Sequence, residues 1–121
     1  MIDHYDHMNH MEYIKLFESE QRVFLEEISA EFRLLEDDDL KIVQRHFSID
    51  YLHPLFAGNN IEVNTKVADI GESSFVFEQE IRVRDRISAK SKTVYVMSDG
   101  KGAKKAIPLW YRDNLVTKCK S

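Results

Sequence analysis

Residues Asp3 to His10 read Asp-His-Tyr-Asp-His-Met-Asn-His, directly ahead of a long amphipathic pattern. Two carboxylates and three of the five histidines therefore stand where a helix should emerge from a loop. A helix N-terminus presents N–H groups without intrahelical acceptors and a partial positive charge. A carboxylate, an imidazole and free N–H groups side by side can polarise a carbonyl and activate a nucleophile. His4, His7 and His10, three residues apart, also raise the question of a metal. In a helix, i and i+6 fall on different faces, and Asn9 as a cap puts His4 and His7 outside the helix. With no cysteine ligand nearby, the reading is no metal.

The elements that must position this stretch follow from periodicity. Asn9 is a good N-cap, and Glu12 can reach back to it. Met11, Ile14, Phe17, Phe24, Leu25 and Ile28 recur at helical spacing, and Tyr13, Leu16 and Val23 widen the apolar face. Lys15, Glu18, Gln21, Arg22 and Glu26 are left as the polar positions. Such a face, about five turns long, predicts a helix embraced by a sheet. The acidic run Glu36-Asp37-Asp38-Asp39 reads as a solvated connection, after which the period becomes two.

Val43, Arg45, Phe47, Ile49 and Tyr51 alternate up to a turn spanning Pro54, Gly58, Asn59 and Asn60. Ile61, Val63, Thr65 and Val67 form a second alternating set, and Phe75, Phe77, Gln79, Ile81 and Val83 a third. The last long strand runs from Ile87 to Met97, with Ala89, Thr93, Tyr95 and Met97 on one side. Aromatic positions such as Phe75, Phe77 and Tyr95 are expected to pack the core. A turn at Asp99 to Gly102 and Pro108 lead into a short terminal helix with Trp110 and Leu115. Hairpin-length connections imply an antiparallel α+β fold, and the lack of crossover helices excludes a dinucleotide-binding one.

At 121 residues, 43% hydrophobic and 31% charged, the chain is long enough for one core, and one domain over 1–121 is expected. The net charge of −4 gives no drive towards nucleic acid. No apolar window has the roughly 18 residues of a membrane span, and no leader pattern is visible. The single cysteine, Cys119, suits a reducing cytoplasm and reads as a tail thiol.

Asp3, His7, Asn9, Tyr13 and Phe17-Glu18, followed by Tyr51, His53-Pro54, Gly58-Asn59 and Ile107-Pro108, resemble in order and spacing the hot-dog fold thioesterases of the 4-hydroxybenzoyl-CoA thioesterase-like family. The resemblance covers nearly the whole chain. It implies a curved antiparallel sheet wrapped around one long helix, a short C-terminal helix, and hydrolysis of an acyl-CoA or acyl-carrier-protein thioester. It departs in two places. His10 stands where many members have a second Asn, and only Met1 and Ile2 precede Asp3, so the usual N-terminal strand is expected to be short or missing.

By resemblance, Asp3 is the nucleophile or general base, the His10 backbone N–H receives the oxyanion, and His7 and Asn9 shape the turn. The matching helical Glu18 is given a catalytic or orienting role, although Arg22, four residues on, offers it an ion pair. Tyr13, Tyr51, Pro54, Gly58 and Asn59 are expected to bind substrate. Lys90, Lys92 and Lys101, within a basic set that includes Lys104, Lys105, Arg82 and Arg84, are expected to meet the CoA phosphates. No cofactor is implied beyond CoA as part of the substrate. Subunits joined edge to edge imply a homodimer or homotetramer. The alternative is a non-catalytic hot-dog protein that binds an acyl ligand or serves as an oligomeric scaffold.

Overall fold

The computed structural model describes residues 9–30, 40–56 and 58–119. Helix α1, His10–Ala30, starts at the expected cap, where the Asn9 side-chain oxygen accepts the Glu12 N–H at 3.1 Å. No glycine or proline interrupts its 21 residues, so the pattern runs on to nearly six turns. Strands β1 (Lys41–Tyr51), β2 (Glu62–Ile70), β3 (Ser74–Val83) and β4 (Arg86–Ser98) follow, then helix α2 (Leu109–Cys119).

The strands form one antiparallel sheet in the order β1-β4-β3-β2. β3 and β4 are joined by a tight turn in which Arg84 takes a φ of 56°. β1 and β2 lie on opposite edges, so the connection between them must cross the end of the sheet that faces the start of α1. Hydrogen bonds from Arg112 to the Gly71 carbonyl and from Asn114 to the Ile28 carbonyl tie α2 to the β2–β3 turn and to the end of α1. This is the helix-in-sheet arrangement that the resemblance implies.

Two apolar clusters bind α1 to the sheet. Tyr13, Phe17, Leu55, Ile81 and Ala89 pack near its start. Ile28, Val67, Phe75, Phe77, Tyr95, Met97, Tyr111 and Leu115 pack towards its end, with Ile107. Between them lies a buried layer of Gln21, Gln79, Ser91 and Thr93.

Two expectations are corrected. Gln21 is not on the polar face of α1: it is 3% exposed and points at the sheet. Val43 does not share a face with Phe47 and Ile49. The β1–β4 register shifts between Gln44 and His46, so Ile42 opposes Met97 and Gln44 opposes Tyr95, while Val43 turns outward and is 40% exposed. An extra residue in one strand reverses the faces of everything beyond it.

Candidate active site

The start of α1 gathers four of the expected site residues. Asn9 caps the helix through both its side-chain and main-chain oxygens. His10 is the first helical residue, and among the described residues its N–H has no acceptor, as the first turn of a helix requires. The His10 ring Nδ1 is hydrogen-bonded to the Tyr51 hydroxyl. Tyr51, 46% exposed at the end of β1, sets its ring edge-on to Tyr13 at 4.8 Å. Burial pushes the Tyr13 hydroxyl above its ordinary pKa, and burial together with Tyr13 does the same to Tyr51. Both phenols therefore stay protonated at neutral pH.

The β1–β2 connection is held against this helix start. The Tyr13 hydroxyl accepts the Leu55 N–H at 3.1 Å, and the Ser88 carbonyl accepts those of Leu52 and His53 at 2.9 and 3.0 Å. Farther along, the Asn59 side chain accepts the Phe56 N–H at 2.8 Å, and Gly58 supplies a φ of 85° that favours glycine. Pro54 is exposed on this connection. A polar atom placed over the helix start would thus meet an N–H donor, the exposed Tyr51 phenol and a loop fixed at several points.

Two depressions flank α1. On the β2 side, an open groove of about 780 Å³ is bordered by Glu20, Val23 and Phe24 of the helix and by Val63, Thr65 and Gln79 of the sheet. Its border also includes Lys66, Glu78, Lys92 and, on β1, Asp50, whose side chains lie on the other face of the sheet, so it is not confined to the helix side. Among the described residues that edge pairs with no strand. On the β1 side, a hollow of about 340 Å³ is bordered by Glu18, Gln21, Arg22, Gln44 and Tyr95.

Several expected residues lie apart from the helix start. Asp3 and His7 fall outside the described residues. Glu18 lies eight residues beyond His10, about 12 Å along the helix axis. Among the described residues it forms no ion pair with Arg22, and it borders the smaller hollow, where its charge adds to the effect of burial on Tyr95. Lys90 and Lys92 face outward from β4, opposite Glu80 and Glu78 on β3, and Lys90 also faces Asp50 on β1. Lys101 sits in the turn after β4, about 30 Å along the sheet from the Ala89 level where Tyr51 pairs.

Sequence reasoning missed the importance of Gln21, Gln79 and Leu55. Gln79 had left a signal, because it occupies an inward position in the alternation of β3. A polar residue there demands a buried partner, and Gln21, four residues beyond Phe17, is the partner that α1 brings to it.

A family model described as the thioesterase-like superfamily matches residues 1–115 of the chain. Among solved structures, SAV2348 from Staphylococcus aureus, in complex with CoA, superposes with a TM-score of 0.86 at 16% identity, over 98% of this chain and 77% of that one. YbaW, a probable thioesterase from Escherichia coli, gives 0.83 at 19% identity, over 98% and 90%. Slr0204, a 1,4-dihydroxy-2-naphthoyl-CoA thioesterase from Synechocystis, gives 0.79 at 16% identity, over 94% and 86%. At these identities the likeness is one of fold. No curated protein matches the chain.

Proposed function

The chain belongs to the thioesterase-like superfamily, and we propose that it hydrolyses the thioester of an acyl-CoA or an acyl-carrier protein to free acid and thiol. The observation that carries this reading is the start of α1, where the His10 N–H meets no acceptor among the described residues and stands beside Tyr51 and the Tyr13-held connection. A carbonyl oxygen seated there gains negative charge as the carbonyl carbon becomes tetrahedral. A fixed N–H reinforced by the helix dipole stabilises that charge without reorganising.

In this reading the Asp3 carboxylate takes a proton from water, and the hydroxide adds to the carbonyl carbon. The tetrahedral intermediate collapses, the carbon–sulfur bond breaks, and the thiolate leaves with the proton from Asp3. His7 and Asn9 shape the turn, and Asn9 does so through a cap that fixes the direction of the His10 N–H. Tyr51, Pro54, Gly58 and Asn59 line the approach. The CoA bound to SAV2348 and the CoA thioester named for Slr0204 support a CoA-type thiol. Lys90 and Lys92 serve its phosphates against the opposing charges of Asp50, Glu80 and Glu78 at cross-strand positions.

The β2 edge, which pairs with no strand among the described residues, and the groove beside it support a homodimer or homotetramer in which subunits join edge to edge. No described helix is long and apolar enough to cross a membrane, and the reading puts the activity in the cytoplasm. The test is steady-state hydrolysis of an acyl-CoA panel by the wild-type chain and by Asp3→Asn. Turnover lost in Asp3→Asn supports the assignment, and unchanged turnover removes Asp3 from the mechanism. Tight acyl-CoA binding with no turnover across the panel would replace hydrolysis by ligand binding as the function.

A further inference from the structure

The buried polar layer between the two apolar clusters uses its hydrogen-bonding capacity in one closed pattern. The Gln21 Nε2 donates to the Gln79 Oε1 at 2.7 Å and to the Thr93 hydroxyl at 2.9 Å. The Tyr95 hydroxyl donates to the Gln21 Oε1 at 2.7 Å. The Gln79 Nε2 donates to the Phe17 main-chain carbonyl at 3.1 Å and to the Thr65 hydroxyl at 3.0 Å. Both N–H bonds of each amide are thus committed, and neither amide can be flipped without setting donor against donor or acceptor against acceptor. β2, β3 and β4 all contribute, and α1 is gripped at Phe17 and at Gln21.

Against the strands themselves, the rest of the helix interface is apolar; its other hydrogen bonds among the described residues reach the end of β1 at Tyr51, the β1–β2 connection at Leu55 and helix α2 at Asn114. Tyr13, Phe17 and Ile28, all buried, and the partly buried Phe24 present large apolar side chains at intervals of four, seven and four residues, facing the sheet. Apolar burial is non-directional, and a helix moved along its axis by part of a turn still buries most of that stripe. The polar layer forbids the movement, since a small shift would leave several buried donors and acceptors unpaired at once. The His10 N–H belongs to the same rigid helix, three turns from Gln21. We infer that Gln21 and Gln79 are positioning residues that fix the axial place of α1 on the sheet, and thereby the place of the His10 N–H against the Tyr13–Leu55 contact. The link to turnover rests on the thioesterase reading, whereas the link to helix position does not.

A double variant separates positioning from stability. Gln21→Met alone leaves Gln79 and Tyr95 with buried, unmatched groups, and it should melt earlier. Gln21→Met combined with Gln79→Met removes both amides in favour of apolar side chains of similar volume, which relieves the unmatched Gln79 amide although the Tyr95 hydroxyl still lacks its acceptor. The expected result is a thermal midpoint restored towards wild type in the double variant with kcat still low. A displacement of about 1 Å at a reacting centre costs on the order of a hundredfold. Hydrogen exchange at Leu55, whose N–H is held by Tyr13, should rise roughly tenfold in the same variant, the equivalent of one lost hydrogen bond. Leu55 exchange unchanged from wild type overturns the inference, whatever happens to turnover. So does kcat returning together with the midpoint. If the wild-type chain hydrolyses no thioester while Leu55 exchange responds as expected, the thioesterase reading fails and the positioning role stands.

Discussion

Replacing Tyr13 by Phe tests how the β1–β2 connection is held to the helix start. The substitution keeps the ring in its cluster with Phe17, Leu55, Ile81 and Ala89 and removes one oxygen. That oxygen is the acceptor of the Leu55 N–H, and both residues are buried. A buried donor left without its acceptor costs about 1–3 kcal/mol. Taking about 2 kcal/mol, and an unfolding entropy of about 2.1 cal/mol/K per residue, the midpoint should fall by about 8 °C. Melting must be compared at one protein concentration, because an oligomer's midpoint depends on it. Tyr51→Phe is the control. It also loses a hydroxyl, but from a residue that solvent already reaches, and it should shift the midpoint by no more than about 2 °C. Hydrogen exchange localises the effect: Leu55 should exchange faster in Tyr13→Phe, while the far cluster around Phe75 and Met97 keeps its protection. A Tyr13→Phe midpoint no lower than that of Tyr51→Phe would refute the claim that this hydroxyl anchors the connection.

Further outcomes follow from the same geometry. Asp3→Asn should lower kcat for thioester hydrolysis by about 10²–10⁴-fold, the usual contribution of a general base, in steady-state assays. Asn9→Ala should lose about 1 kcal/mol of helix capping in denaturant titrations, whereas Asn9→Asp should retain most of it. Tyr95, buried under α1 and close to the Glu18 charge, has its pKa pushed up to about 12. Its protonated form is the one the fold favours, so its contribution is complete below pH 10, the unfolded value, and is lost as pH rises through 12. That contribution is on the order of 2–3 kcal/mol. Denaturant titrations across this window should show the loss in the wild-type chain, and a stability independent of pH there would contradict it. Light scattering should give two or four times the chain mass, and a monomer at micromolar concentration would remove the edge-to-edge assembly.

The fold was legible because two periods separate cleanly along the chain. An uninterrupted 3.6-residue pattern, opened by Asn9, gives α1, and alternation gives the four strands. Where the reading failed, the cause is local. The β1 bulge beside Arg45 has no glycine or proline to announce it, so Val43 was set on the wrong face. Gln21 was misplaced because a polar residue in an amphipathic helix belongs to the solvent face unless something across the core asks for it. The partner lies 58 residues away on β3, a separation that periodicity cannot see.

The same distinction governs the site. The placement of Asn9 as the cap and of His10 and Tyr13 in the turn after it was legible because those relations are local in sequence. Lys90 and Lys92 look like free cations along the chain, since Ser91 alone separates them. In the sheet their surroundings come from other strands: Glu80 and Asp50 stand opposite Lys90, and Glu78 stands opposite Lys92. Glu78 is itself shared with Lys66 at 3.6 Å, and Glu80 with Arg82 at 2.7 Å, the contact that chiefly holds its carboxyl below the usual range. A phosphate approaching this face must compete with carboxylates at fixed cross-strand positions, whereas one approaching Lys101 meets a turn whose Asp99 already accepts two main-chain N–H groups. Charge neutralisation therefore discriminates between them. If this outward face receives the nucleotide, Glu78→Gln should lower KM for an acyl-CoA by removing a negative charge opposite Lys92, and added salt should erase the gain. An unchanged KM would mean that the nucleotide lies elsewhere.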